Sequence, residues 1–217
     1  MNFEQARFNM VEQQVRTWDV LDPRVLKLLS EVNREDFVPL EYRKLAYADM
    51  PIPLGHQQVM LPPREEGRIL QALQVKSTDR VLEIGTGSGY FTSLLAQQAT
   101  SVNSVDIFPD FVSNASTRLE RLELENISFS TGDASQGWDS ATSYDVICIT
   151  GSLYKLPESY RHQLNVGGRL FVVLGQEPNM QANLITRYGE QEWRTEILYE
   201  TVVPALMNAE QPPKFAF

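Results

Sequence analysis

One stretch of the sequence, VLEIGTGSGYFTSLLA from Val81 to Ala96, limits the possible folds more than any other. An apolar run typical of a buried strand leads through Gly85, Gly87 and Gly89 into a segment with helical spacing. A strand, a glycine turn and a helix in this order place backbone N–H groups and the positive helix end at the carboxyl edge of a sheet. Such a turn is typical of a ligand site.

The spacing of the glycines discriminates between ligands. The dinucleotide fingerprint G-x-G-x-x-G needs a small residue where this chain has Tyr90, and a P-loop needs a Lys-Ser/Thr pair that is not present. Glu83 would repel a pyrophosphate, but it can order the loop or reach the ammonium group of an amino-acid ligand. The pattern therefore favours a ligand without a phosphate.

After residue 75, short apolar runs alternate with segments of helical spacing. The predicted strands are RVLEIG, SVNSVDI, ISFSTGD, YDVICIT and GGRLFVVLG. Because strands linked by crossover helices run parallel, we expect an α/β fold with a doubly wound, Rossmann-like sheet. The last two apolar runs, ANLITRY and WRTEILYETVV, flank Gly189 and predict a C-terminal antiparallel hairpin on this mostly parallel sheet.

The first 75 residues follow a different pattern. Helical spacing appears in FEQARFNMVEQQV, in REEGRILQAL, and in DPRVLKLLSEV, where Asp22 can cap a helix that has Pro23 at its first position. A stretch rich in proline and aromatic residues precedes REEGRILQAL and is too apolar for a disordered linker. We predict an N-terminal lobe over residues 1–75 that covers the active site, and an α/β domain over residues 76–217.

Composition excludes several classes of protein. A net charge of −9 over 217 residues repels phosphate backbones and argues against nucleic-acid or membrane-surface partners. The single cysteine, Cys148, permits no internal disulfide and is expected to be an inert core thiol in a cytoplasmic protein. No apolar run reaches 18 residues, and His56 and His162 have no ligand-spaced cysteine, so we expect neither a membrane span nor a metal site.

The pattern E-x-G-x-G-x-G after an apolar strand resembles motif I of class I S-adenosylmethionine-dependent methyltransferases. Asp106 ends the second predicted strand, where a carboxylate is spaced to take both ribose hydroxyls. Asp133 ends the third strand, where an acceptor suits the adenine amino group, and Ala134 offers a backbone N–H. The predicted cofactor is S-adenosylmethionine, and the predicted binding residues are Glu83, Gly85, Thr86, Gly87, Ser88, Gly89, Asp106, Ile107, Asp133, Ala134 and Thr150.

Over roughly residues 20–176, the chain resembles the protein-L-isoaspartate O-methyltransferases. The matching stretches are REDFVP, LAYADMPIPLGHQQ, VLEIGTGSGY, GDASQGW and LPESYRHQLNVGGRLFVVLG. The resemblance implies methyl transfer to the free α-carboxylate of an isoaspartyl residue in a damaged protein, whose ester then cyclises to a succinimide and reopens partly as aspartate. Since a carboxylate of pKa about 3.9 is already ionised at pH 7, the site needs a neutral donor that orients it.

The chain departs from this family in one loop. The relatives carry G-Q-T-I-S-x-P, whose Thr and Ser are tied to substrate handling. When the sequences are aligned on Gln58 and Pro63, this chain has Val59 in place of the Thr and Leu61 in place of the Ser. Both hydroxyls are therefore replaced by apolar side chains, beside which a carboxylate would be poorly solvated.

Three side chains are candidates for a catalytic role. Thr150 and Ser152 follow the fourth strand and are the hydroxyls best placed to substitute for the missing pair, while His56 could act as a general base. The replaced hydroxyls also leave two alternatives open, namely methylation of another, possibly small-molecule, acceptor and a non-catalytic module that binds the cofactor. An NAD-dependent dehydrogenase is a third alternative, against which the glycine spacing argues.

Overall fold

A computed structural model describes residues 2–211 of the chain. The helices are α1 (Phe3–Met10), α2 (Pro23–Glu31), α3 (Pro63–Leu73), α4 (Tyr90–Ala96), α5 (Pro109–Glu120) and α6 (Glu158–Gln163). The strands are β1 (Ile52–Gly55), β2 (Gln58–Met60), β3 (Arg80–Ile84), β4 (Ser101–Asp106), β5 (Ile127–Thr131), β6 (Tyr144–Leu153), β7 (Leu164–Gln176), β8 (Asn179–Gly189) and β9 (Glu192–Glu200).

The main sheet has seven strands in the order β5-β4-β3-β6-β7-β8-β9. Strands β3 to β7 are parallel, and β8 and β9 add antiparallel strands at one edge, which confirms the predicted doubly wound sheet and its terminal hairpin. The chain continues from β3 to β4 on one side and returns to β6 on the other. The boundary between β3 and β6 is therefore the switch point at which ligands bind in folds of this kind.

The first 75 residues pack against the sheet through a shared hydrophobic core. Buried side chains of this part, such as Leu29 and Ile69, belong to the same apolar cluster as Leu94 and Phe171. The Asp22 side chain accepts the Arg24 N–H at 2.8 Å, so the predicted cap of α2 is confirmed. The division into a lobe of residues 1–75 and a domain of residues 76–217 stays a prediction, and residues 1 and 212–217 lie outside the described part.

Two features of the fold were not expected from the sequence. The proline-rich stretch contains a two-stranded antiparallel hairpin, β1–β2, between short helical turns at Leu40–Leu45 and helix α3. After β9, the chain returns to the carboxyl end of β6, where Ser152 and Ala205 form a parallel bridge. Both features lie at the end of the sheet that carries the glycine loop, residues 85–89 between β3 and α4.

Within residues 2–211, no helix combines the length and the apolar character needed to cross a membrane. Cys148 is a buried free thiol in β6, and burial raises its pKa well above the ordinary value. The thiol is therefore protonated at neutral pH, as expected for a core residue.

Candidate active site

A cleft opens at the switch point of the sheet, and the space within it and at its solvent-filled mouth is about 680 Å³. Three parts of the chain form its walls: the carboxyl ends of the parallel strands, the β1–β2 hairpin and the segment after β9. The lining residues are Leu54, Gln58, Val59, Leu61, Ile84, Gly85, Gly87, Val105, Asp106, Ile107, Phe108, Phe111, Gly132, Asp133, Ala134, Ser135, Thr150, Gly151, Pro204, Leu206 and Met207.

The glycine loop has a backbone that other residues would not tolerate. Gly85 has φ +99°, and a Cβ atom there would lie 2.2 Å from Thr150 Oγ1. Gly89 has φ +82°, and its Cβ would lie 2.8 Å from that of Ala115 in α5. The first glycine thus lets β3 and β6 meet closely at the cleft, and the third lets α5 pack on the loop.

Glu83 orders the glycine loop through hydrogen bonds in the protein interior. Its side chain is fully buried, and Thr92 Oγ1 and Ser104 Oγ each donate to Glu83 Oε2 at 2.6 Å. The Thr86 hydroxyl lies 2.6 Å from Ser104 Oγ, which links the loop to this carboxyl group. Burial raises the pKa of Glu83 to about 8. Since Glu83 does not line the cleft, the geometry supports an ordering role and not contact with a ligand ammonium.

Asp106 stands at the end of β4 with its carboxylate held in the cleft. Gly87 N–H donates to Asp106 Oδ2 at 2.9 Å, and Phe108 N–H donates to Oδ1 at 3.0 Å. Burial raises the pKa of Asp106, while these N–H groups oppose the shift. Each carboxylate oxygen keeps acceptor capacity for a further hydrogen bond, and Ile107 lines the cleft beside it.

Asp133 follows β5 at the other end of the same wall. Its oxygens accept the Ser135 N–H at 2.9 Å and the Asn208 side-chain amide at 2.9 Å, and the Ser135 N–H is the main cause of a lowered pKa. Ala134 is buried, and its N–H has no acceptor in the hydrogen bonds among residues 2–211. An acceptor and a backbone donor thus stand side by side, as an adenine edge requires.

The three predicted catalytic side chains are all engaged in other contacts. Thr150 lines the cleft, but its hydroxyl donates to the Ile84 and Gly85 carbonyls at 3.0 and 2.9 Å. Ser152 is buried, and its hydroxyl donates to Val203 O at 3.0 Å, so it is committed to the segment after β9. These contacts give no support to a catalytic role for Ser152. The Thr150 hydroxyl can still accept a hydrogen bond from a ligand, but its proton is not available to one.

His56 lies outside the cleft lining, at the tip of the β1–β2 hairpin. Its ring stacks on Phe108 with centroids 4.1 Å apart, and its Nε2 lies 3.1 Å from Asp110 Oδ2. Both contacts attach the hairpin to the start of α5. The geometry therefore favours a structural role for His56 over that of a general base.

Several residues that line the cleft were not named as site residues from the sequence. The hairpin contributes Leu54 and Gln58, and the segment after β9 contributes Pro204, Leu206 and Met207. Ser152 N–H donates to Pro204 O at 2.9 Å and Leu206 N–H donates to Ser152 O at 2.9 Å, which fixes this segment. The signal in the sequence for this segment was an apolar run, VVPALM, that continues past the last strand.

The two apolar replacements do lie at the site. Val59 and Leu61 line the cleft together with Leu206. The cleft is thus lined both by carboxylates that suit a nucleoside and by apolar side chains. Among residues 2–211, no group of three or more His, Cys, Asp or Glu side chains is arranged to hold a metal ion.

The doubly wound sheet, the glycine loop and the acidic residues at the ends of β4 and β5 define the class I methyltransferases. The family model of protein-L-isoaspartate(D-aspartate) O-methyltransferase matches residues 5–210. The chain therefore belongs to this family and is an S-adenosylmethionine-dependent methyltransferase, which confirms the resemblance found in the sequence.

Individual relatives agree with this assignment. Protein-L-isoaspartate O-methyltransferase 1 of Rhodopseudomonas palustris (strain HaA2) is 36% identical over 210 residues, which are 96% of this chain and 86% of the relative. The enzyme of that family from Myxococcus xanthus (strain DK1622) is 40% identical over 162 residues, 75% of this chain and 76% of the relative. A solved Plasmodium falciparum structure assigned to the family, in complex with S-adenosyl-L-homocysteine, is similar in fold, with TM-score 0.78 and 18% identity over 95% of this chain and 98% of that one.

Asp106→Ala is expected to weaken cofactor binding by about 1–3 kcal/mol, the range for hydrogen bonds to a charged group. Calorimetric titration with S-adenosyl-L-homocysteine measures the change. Asp36→Ala is a suitable control, because Asp36 pairs with Arg43 on the surface and does not line the cleft. Equal affinities for the two variants would exclude Asp106 from the ribose site.

Proposed function

We propose that this protein transfers a methyl group from S-adenosylmethionine to the free α-carboxylate of isoaspartyl residues in damaged proteins. One observation carries the choice of acceptor. Among the described residues that line the cleft, only Asp106 and Asp133 have titratable side chains. An alcohol, phenol or ammonium acceptor would need a base to remove its proton, whereas a carboxylate is already ionised at neutral pH.

The polar residues of the cleft suit the cofactor. When bound, S-adenosylmethionine supplies an electrophilic methyl group on a positively charged sulfur. Asp106 lines the cleft and would accept from the ribose hydroxyls, and Asp133 with the Ala134 N–H would bind the adenine edge. The backbone of Gly85 and Gly87 lines the cleft next to these groups, where the amino-acid part of the cofactor would bind.

The chain's own residues then have two tasks. They hold the acceptor oxygen in line with the methyl group, and they exclude water that would solvate the carboxylate. Val59, Leu61 and Leu206 form an apolar wall that suits the second task. No proton needs to move in this reaction, which agrees with the structural contacts of His56, Thr150 and Ser152.

The predicted lobe of residues 1–75 belongs to the same proposal. Its residues Leu54, Gln58, Val59 and Leu61 supply the wall that faces the sheet, so the lobe would cover the acceptor. We also infer a cytoplasmic location and no nucleic-acid or membrane partner. A buried free Cys148 and a net charge of −9 support these inferences.

The proposal predicts that labelled methyl is transferred from S-adenosylmethionine to an isoaspartyl peptide and not to the matching aspartyl peptide. Succinimide formation in the methylated peptide would follow the transfer. Cofactor binding is measured in the same sample by calorimetry. A protein that binds the cofactor and leaves the isoaspartyl peptide unmodified would contradict the proposed acceptor and favour a different one.

A further inference from the structure

The proposed reaction needs a neutral donor that orients the acceptor carboxylate, and the cleft offers few. Of the described lining residues, Gln58, Ser135 and Thr150 are the ones whose side chains carry an N–H or O–H donor. The Thr150 proton already serves the Ile84 and Gly85 carbonyls. Two candidate donors remain.

Ser135 lies at the wrong end of the cleft for the acceptor. It follows Asp133 and Ala134 directly, and its backbone N–H and hydroxyl both stabilise the Asp133 carboxylate. That carboxylate stands where the adenine edge binds under the proposed function. Among the described lining residues, Gln58 is therefore the one whose side-chain donor is not committed to another group.

Gln58 is held at the cleft by the hairpin that carries it. It begins β2 directly after the turn His56–Gln57, and its neighbour Val59 also lines the cleft. Stacking of His56 on Phe108 and its contact with Asp110 fix the tip of this hairpin against α5. The Gln58 amide group makes only a long contact, 3.5 Å from Nε2 to His56 O, so its N–H groups are available to a ligand.

The geometry points to Gln58 as a catalytic residue whose side-chain amide donates a hydrogen bond to the acceptor carboxylate, an inference that rests on the proposed function. The amide donates its hydrogen bond to the carboxylate oxygen that does not react. The other oxygen forms the O–CH₃ bond as the S–CH₃ bond breaks, and the electron pair of that bond stays on sulfur. Gln58 keeps its protons throughout.

A neutral donor suits this reaction better than a cation would. The carboxylate loses its negative charge as the ester forms, so a group that stabilises the charge strongly favours the bound reactant over the transition state. An amide binds and orients the carboxylate with less of this penalty. With apolar Val59 and Leu61 in place of the relatives' hydroxyls, the described lining offers the carboxylate no other uncommitted side-chain donor.

Adjacent glutamines provide a matched test. Gln57 is exposed and outside the cleft lining, so Gln57→Glu makes the same chemical change one residue away. We expect Gln58→Leu to raise the KM for an isoaspartyl peptide about ten- to a hundredfold, the range for a lost hydrogen bond to a charged group. Gln58→Glu is expected to have a larger effect, because a carboxylate replaces the donor. Gln57→Glu should stay within about twofold of the unmodified protein.

Binding of S-adenosyl-L-homocysteine, measured by calorimetry, should be unchanged in all three variants. Gln58 variants as active as Gln57→Glu would overturn the role assigned to Gln58 and leave the proposed function standing. So would Gln58 variants whose loss of activity is matched by a loss of cofactor binding, because the role would then be structural. An unmodified protein that transfers no methyl to the isoaspartyl peptide would overturn the proposed function, and the role of Gln58 with it.

Discussion

Gly85→Ala is expected to lower the affinity for S-adenosyl-L-homocysteine by at least about 100-fold, or about 2.8 kcal/mol. Two effects combine. A non-glycine residue at φ +99° is strained, which costs about 1–3 kcal/mol, and the new Cβ would lie 2.2 Å from Thr150 Oγ1. Because β3 and β6 are adjacent central strands, the clash is relieved only by moving the loop that lines the cleft.

Two further variants separate strain from collision. Gly167→Ala places a Cβ at a similar φ of +84° with nothing within 4 Å, so it should reduce stability without affecting cofactor affinity. Gly85→Ala combined with Thr150→Ala removes the colliding oxygen and leaves Thr150 Cβ, 3.6 Å away, as an ordinary contact. We expect this pair to recover part of the affinity in calorimetry. A single Gly85→Ala variant that binds within threefold of the unmodified protein would refute the argument.

Arg34→Met is expected to lower the free energy of unfolding by about 3–5 kcal/mol, the range for breaking one side of a buried ion pair. Arg34 is fully buried, donates to Ala46 O at 2.8 Å and to Leu61 O, and pairs with Glu66 in α3. Its guanidinium group also lies over the Tyr90 ring, 4.8 Å from the centroid. The substitution leaves a buried carboxyl group and two carbonyl groups without their hydrogen-bond donor.

Urea unfolding of matched variants measures this cost. Burial raises the pKa of Glu66 to about 7, although Arg34 lowers it. In Arg34→Met the Glu66 carboxyl group therefore takes up a proton, which reduces the cost of burying an unpaired charge. Arg34→Met with Glu66→Leu should therefore be more stable than Arg34→Met alone. Lys27→Met removes an exposed pair with Glu31 and should cost less than about 1 kcal/mol. Similar losses for Arg34→Met and Lys27→Met would contradict the role of the buried pair.

Much of the candidate site followed from local patterns. Asp106 and Asp133 were predicted at the ends of two strands, and the structure places both at one edge of the sheet, lining the same cleft. The prediction succeeded because parallel strands bring their carboxyl ends together whatever the details of packing. Gly85 and Gly89 were equally predictable, since a tight strand-to-helix turn needs a positive φ.

The hydroxyl groups could not be assigned in this way. Ser152 was expected to substitute for one of the missing hydroxyls, but its proton is donated to Val203 O, 51 residues further along the chain. Thr150 likewise donates to Ile84 O and Gly85 O, 66 and 65 residues earlier. The partner of a hydroxyl is whichever acceptor the fold brings within 3 Å, and no spacing in the sequence encodes it.

The sequence by itself determined the doubly wound sheet and its terminal hairpin, because these depend on periodicity. It also indicated the cofactor class and the family, because its motifs resemble those of known methyltransferases. Only the tertiary structure decided which contacts hold the walls of the cleft in place. The β1–β2 hairpin is attached through His56 and Phe108, and the segment after β9 is attached through Ser152. These contacts join residues far apart in the chain, so they exist only after the sheet has formed and brought their partners to one edge.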